Sequence, residues 1–326
     1  MRVLRPNLRN SICGAVGRAG FAALGALAAL VAGGPGAGLA GAAGLPRAAG
    51  VAAKTCGGET LGAKPGGGGW TCTFDDEFAA ATGDASSLNT SWWTPQLTAT
   101  SAFTSGPAGS QACYVNSTRN ISVSGGALHL TARREAAPMQ CESFRTQYTS
   151  GMVSTYTGFN QAYGRFEVRA LLPQTAAAGL QETLWLWPVN DVRYGGWPGS
   201  GEVDFAEFYS QYSWLDVPYI HYVYDPSTVN PVTHVNTVTA TDCRISISRY
   251  NDYAVVWSPG GFTITINGST CLVDNYLAAG LTGAQPFDQP FFVALTQALG
   301  VATNAFNPAT TPLPATTSVD YVRVWK

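Results

Sequence analysis

An all-β sandwich, two packed antiparallel sheets of jelly-roll type with a substrate cleft across the concave face of one, is the fold this sequence predicts. Three observations point to it. Apolar and β-branched residues recur in short runs, Gly, Asn, Pro and Ser punctuate them, and no long 3.6-residue apolar period is present. In chain order, the clearest strands are Asn120 to Val123 and Leu128 to Ala132, joined through Gly125-Gly126, and then Arg165 to Leu172. Tyr219 to Tyr224, Tyr253 to Trp257, Phe262 to Ile266, Phe291 to Thr296 and Val319 to Trp325 follow. No internal repeat is seen. About 255 residues remain for this unit, within the range of single all-β domains.

The N-terminus has a different character. Arg2, Arg5, Arg9 and Arg18 precede and flank an apolar run from Gly20 to Ala32, small residues follow, and the first acidic residue is Glu59. Basic, then apolar, then small is the order of a secretory signal, and the run is shorter than the roughly 20 residues a membrane span requires. The expected organisation is a signal peptide over 1–42, with cleavage between 40 and 53, a Gly/Ala/Pro-rich linker over 43–69 and a catalytic domain over 70–326. A secreted monomer without a stable membrane anchor is expected. Gly36, Gly38 and Gly41 match a dinucleotide fingerprint by letter only, because no strand precedes them.

Charged residues make up 12% of the chain and the net charge is -2. Globular domains average about 25% charged residues, so nucleic acid is excluded as a partner for want of a basic surface. Abundant aromatics beside short polar side chains suit a neutral, hydroxyl-rich ligand, and a polysaccharide fits. With Cys13 in the signal, six cysteines remain: Cys56, Cys72, Cys113, Cys141, Cys243 and Cys271. An even number in an exported chain indicates disulfides; of the fifteen possible connectivities, nearest-neighbour pairing crosses the fewest elements. Zinc is the weaker alternative, since there is no C-x-x-C pair and His129, His221 and His234 are the only imidazoles.

Chemistry concentrates in Gly201-Glu202-Val203-Asp204-Phe205-Ala206-Glu207-Phe208. On a helix, at about 100° per residue, Glu202 and Glu207 would diverge by about 140°. On a regular strand Glu202 and Asp204 share a face, but the step of five to Glu207 has odd parity. One extra residue, a β-bulge near Phe205 or Ala206, restores it. Three acids on one face repel one another, which separates a carboxyl that keeps its proton from one that ionises. That division is what a retaining glycosidase uses, with two carboxyls about 5–5.5 Å apart. A solvated acidic strand is the plain alternative, and the apolar residues between the acids oppose it.

With Glu202, Asp204 and Glu207 in an E-x-D-x-x-E pattern, preceded by Tyr194-Gly195-Gly196-Trp197-Pro198 and Trp185-Leu186-Trp187-Pro188, the chain resembles glycoside hydrolase family 16, laminarinase-like branch. Phe74-Asp75-Asp76-Glu77-Phe78, Tyr163-Gly164-Arg165-Phe166-Glu167 and Val319 to Trp325 extend the likeness. The resemblance implies an endo-acting, retaining hydrolase of β-1,3-glucan with Glu202 as nucleophile, Glu207 as general acid/base and Asp204 orienting them. It also implies substrate contacts by Trp197, His221, Asn120, Trp185 and Gln297. No cofactor is implied for catalysis; a structural calcium is, held at Glu77, Gly126 and Asp320 by backbone oxygens and the Asp320 carboxylate, with no metal as the alternative. Trp185 and Trp187, two apart, are expected on one face. The chain departs from the family at Gln181-Glu182-Thr183-Leu184, where a Pro-Ala before an aromatic is usual. Galactan or agar hydrolysis, transglycosylation on the same scaffold, and a silent carbohydrate-binding sandwich are the competing readings. A serine hydrolase is disfavoured by the missing G-x-S-x-G elbow.

Overall fold

In a computed structural model, residues 55–79, 88–224 and 238–326 are described. The expected signal peptide and His234 lie outside them, as does the start of the expected linker. Two sheets form the body, antiparallel except where Ala112–Tyr114 pairs in parallel with Phe144–Ser150. The larger runs Ser269–Asp274, Gly261–Ile266, Asn251–Ser258, Gly164–Leu171, Ala315–Trp325, Ala127–Cys141, Phe144–Ser150, Ala112–Tyr114 and Thr104–Ser105; Cys72–Asp76 and Ile121–Ser124 join it at Ala315–Trp325 and Ala127–Cys141. The smaller runs Tyr219–His221, Glu202–Tyr209, Leu180–Pro188, Phe291–Leu299, Met152–Ser154 and Thr94–Pro95. A further pair, Leu215–Asp216 with Cys243–Arg244, flanks it. Every strand expected from sequence has a counterpart. Leu128 to Ala132 proves to be the start of a longer strand that continues to Cys141.

The core lies between the sheets because alternate side chains of both point inward. Leu128, Leu130, Phe166, Val168, Val255, Ile264, Val322 and Val324 from the larger sheet meet Leu184, Leu186, Val203, Phe205, Phe208, Val293 and Leu295 from the smaller. A second apolar cluster, built on Trp185, Trp187, Phe292, Met152 and Tyr114, covers part of the opposite face of the smaller sheet. Trp185 and Trp187 therefore do share a face, and their rings meet edge to face at 5.6 Å.

Disulfides join Cys56 to Cys72, Cys113 to Cys141 and Cys243 to Cys271, the nearest-neighbour set. The first shapes the N-terminal segment. Cys56 and Cys72 are buried with Trp325, Leu61 and Trp70 pack against them, and Arg323 binds Glu59 at 3.2 Å. The segment from Thr55 onward thus packs on the domain. No helix among the described residues is long and apolar enough to cross a membrane.

Candidate active site

Pairing along the Glu202–Tyr209 strand locates the irregularity. Asp204 faces Trp185 and Ala206 faces Leu184, so Phe205 has no partner on the neighbouring strand. Phe205 and Ala206, consecutive in sequence, both enter the inter-sheet core with Val203 and Phe208. A bulge thereby delivers Glu202, Asp204 and Glu207 to the opposite face, as the parity argument requires. Gly201 sets the strand's entry: its φ is +85° and a Cβ there would stand 2.5 Å from Phe287. Only glycine fits that approach.

The loop before it is pinned from several directions. Tyr194 Oη donates to Asp288 at 2.7 Å, the Tyr194 amide to Ser200 Oγ at 3.0 Å, and Ser200 Oγ to the Gly195 carbonyl at 2.7 Å. Trp197, carried on this loop, donates Nε1–H to Glu202 Oε2 at 2.5 Å. Across the strand pair, His221 lies opposite Glu202 and brings Nε2 to 3.2 Å from Asp204 Oδ2. Its ring stacks on Tyr219, with centroids 4.1 Å apart, and Trp197 closes the other side at 5.3 Å. Glu207 accepts from Gln181 Nε2 at 2.6 Å, and its own amide donates to Asp216 Oδ1 at 2.9 Å.

Burial raises the pKa of all three acids above the ordinary carboxyl range, because a charged carboxylate loses its hydration there. For Glu202 the next cause is the charge of Asp204; His221 and the Trp197 N–H oppose it. For Asp204, the charge of Glu207 adds to burial. For Glu207, Tyr209, His221 and Gln181 all favour the charged form against burial. The cluster thus retains protons where isolated carboxyls would not, while its two glutamates each have specific support when ionised.

Other expected contacts fall elsewhere. Asn120 is buried in the larger sheet and donates to the Thr131 carbonyl and to Thr149 Oγ1, so its amide is engaged away from the three acids. Gln297 is fully buried between the sheets, donating to Glu182 Oε1 at 2.6 Å and accepting from Thr317 Oγ1 at 2.8 Å. Its partners are core groups. Trp185 lies on the correct face but is covered by Phe103 and Trp187, and Nε1 donates to Thr296. The residues expected at calcium lie on neighbouring strands: Asp76 pairs with Val322 and Leu128 with Val319, which brings Glu77 and Gly126 toward Asp320. Glu77 binds Arg323 through both oxygens, at 2.7 and 3.0 Å, Asp320 pairs with Arg169 at 3.0 Å, and Gly126 sits in the turn before Ala127. The Asp320 carboxylate is already neutralised by a guanidinium, which weakens it as a calcium ligand. Among the described residues, the side-chain clusters close enough to share an ion are the disulfide pair Cys56 and Cys72 with Asp75, and Glu202, Asp204 and His221.

Gln181, Asp216 and Tyr209 were not anticipated at the site. A signal for Gln181 existed, since period two from Trp185 and Trp187 reaches it through Thr183. Asp216 comes from a separate short strand beyond a turn, and nothing in its neighbours marks it.

The profile for glycosyl hydrolases family 16 matches residues 109–308. The chain belongs to that family. It is 33% identical over 184 residues to a keratan-sulfate endo-1,4-beta-galactosidase of Sphingobacterium multivorum, covering 55% of this chain and 40% of that protein. It is 30% identical over 234 residues to glucan endo-1,3-beta-glucosidase A1 of Niallia circulans, covering 65% and 32% respectively. The family member thus spans about a third to two fifths of the length of these relatives. The catalytic domain of an endo-1,3-beta-glucanase (laminarinase) from Thermotoga petrophila shares the fold, with a TM-score of 0.62 at 22% identity over 79% of this chain and 98% of that one.

Proposed function

We propose that this family 16 protein is a secreted retaining hydrolase that cleaves internal bonds of β-1,3-linked glucan. The bulge carries the reading: it places Glu202, Asp204 and Glu207 on one face beside Trp197 and His221. Glu202 attacks the anomeric carbon as the bond to the leaving oxygen breaks, and Glu207 gives that oxygen its proton. A water then releases the sugar from Glu202, with Glu207 now taking the proton, so that two inversions yield retention. Trp197 and His221 support the charge on Glu202 before attack, and Asp204 separates the proton affinities of its neighbours. Aromatic and neutral polar groups around these acids suit a glucan.

Reducing-end release from laminarin, mixed-linkage glucan, agarose and β-linked galactan tests the proposal. Laminarin is expected to be turned over best, with Glu202→Gln and Glu207→Gln each reducing turnover by at least about 100-fold. Undiminished turnover in either variant would refute its assigned role. Preference for galactan would transfer the mechanism to a galactanase, the substrate class named for the Sphingobacterium relative. Sugar binding with no turnover would indicate a binding sandwich.

A further inference from the structure

Glu207 is held at both ends by groups that lie off its strand. Gln181 is buried on the neighbouring Leu180–Pro188 strand, on the same face as Thr183 and Trp185, and its Nε2–H points at Glu207 Oε1 at 2.6 Å. Asp216, also buried, accepts the Glu207 amide at 2.9 Å, and the next residue, Val217, donates its amide to the Glu207 carbonyl at 2.9 Å. Backbone and carboxyl are thus fixed from different strands. The Asp216 strand is itself tied down through its partner, Cys243–Arg244, to the edge of the larger sheet by the Cys243–Cys271 disulfide.

The carbonyl oxygen of a carboxylic acid is a better acceptor than its hydroxyl oxygen, so the bond from Gln181 to Oε1 favours the proton on Oε2. General acid catalysis depends on that choice, because a proton on the wrong oxygen is not in line with the leaving group. We propose that Gln181 is the positioning residue of the acid/base: its amide fixes the Glu207 carboxyl and assigns Oε1 as acceptor, keeping the transferable proton on Oε2. The inference rests on the glycosidase reading above and goes beyond it by naming the group that orients the proton. In the leaving-group step, the Oε2–H bond breaks as the proton passes to the glycosidic oxygen. The new negative charge on Glu207 then strengthens the Gln181 hydrogen bond. In the second step a water proton returns to Oε2.

The groups that face Glu207 can be enumerated from each packed element. Glu202, Asp204 and Tyr209 come from its own strand, His221 and Tyr219 from the Tyr219–His221 strand, and Asp216 from below. Gln181 and Tyr209 are the neutral donors among them, and Gln181 is the one that reaches Glu207 from another strand. Removing its amide takes away support for the charged form, so Glu207 should hold its proton to higher pH.

The test uses the full chain with Gln181→Met, which keeps length and removes the donor, and Gln181→Glu, which keeps shape. Two substrates separate the roles: laminarin, whose leaving alcohol requires a proton, and a 2,4-dinitrophenyl β-laminaribioside, whose leaving group requires none. A loss of roughly tenfold or more in kcat/KM on laminarin is expected for Gln181→Met, with little change in the glycosylation rate of the dinitrophenyl substrate. The alkaline limb of kcat/KM on laminarin should move to higher pH in both variants. Equal losses on both substrates with an unmoved limb would overturn the proposal and leave Gln181 a packing residue. NMR titration of the Glu207 carboxyl, assigned by its disappearance in Glu207→Gln, reads the same interaction without any substrate. An upward shift in Gln181→Met supports the positioning role even if laminarin is not the substrate; no shift refutes it even if it is. Should Gln181→Met fail to fold, Gln181→Asn, which is too short to reach Oε1, replaces it with the same expected outcomes.

Discussion

Glu182 Oε1 accepts a 2.6 Å hydrogen bond from Gln297 Nε2 between the two sheets, where both side chains are almost completely buried. This acid belongs to the core, on the opposite side of the strand from Gln181. Burial pushes the Glu182 carboxyl up to about 8, against 4.5 for an unperturbed one, and Gln297 only partly offsets it. The folded state therefore binds this proton more tightly than the unfolded chain. Its contribution to stability is complete below about pH 4.5 and is lost as pH rises through about 8. Glu182→Gln should keep the bond to Gln297 and remove this loss, of order a few kcal/mol at its largest. Urea melts of the wild type and variant between pH 5 and about pH 9 check this, with their difference widening toward alkali. A constant difference would show that Glu182 does not titrate in this window.

Two single-residue deletions distinguish the bulge from the carboxylates it displays. Removing Ala206 leaves Asp204 opposite Trp185, Phe205 opposite Leu184 and Glu207 opposite Thr183, a regular strand with all three acids still on one face. The expected cost is about 1 kcal/mol of stability, with partial activity kept. Removing Val203 instead turns Glu202 into the core. That exchanges a buried valine, worth about 1.5–3 kcal/mol, for an unpaired carboxyl, and both activity and cooperative folding should be lost. Thermal melts and laminarin turnover measured side by side decide it; equal tolerance of both deletions would mean that strand parity does not set the site.

The bulge was legible because parity is arithmetic: two acids five apart on one face require an extra residue, and apolar Phe205 and Ala206 were the pair able to turn inward together. Trp185 and Trp187 follow from the same rule. Asn120 and Gln297 were not legible, since an amide on a strand suits a sugar hydroxyl or a buried hydrogen bond equally well. Here Thr131, Thr149, Glu182 and Thr317, distant in sequence, supply the partners. The Asp320 carboxylate expected at calcium is similarly paired with Arg169, whose reach across neighbouring strands depends on register. Gln181 and Glu182 show why the departure from the family pattern matters: one faces Glu207 and the other faces Gln297 in the core.

Asp204→Asn should move the acid limb of the activity profile. After burial, the charge of Asp204 is the largest cause holding Glu202 above its ordinary range. With a neutral amide there, Glu202 ionises at lower pH; since the proposed nucleophile must be charged, the acid limb of kcat/KM moves down. His221 loses its charged neighbour at the same time, and maximal turnover should fall roughly tenfold or more. A limb that stays in place while turnover falls would assign Asp204 to orientation of His221 and not to the charge of Glu202.

Asp216 separates the need for an acceptor from the need for a charge. Its Oδ1 receives the Glu207 amide, Oδ2 has no partner among the described residues, and burial raises its pKa well above the ordinary range. A carboxyl in that setting favours its protonated form, in which it serves Glu207 as a neutral acceptor. Asp216→Asn preserves the acceptor and should remain within about 0.5 kcal/mol of wild-type stability near neutral pH. Asp216→Ala leaves the Glu207 amide buried and unpaired, and should cost about 1–3 kcal/mol with a parallel loss of turnover as the acid/base loses its anchor. Urea melts and laminarin kinetics on the two variants test this. Equal damage from both would show that Asp216 acts through its charge, whereas no damage from either would remove it from the support of Glu207.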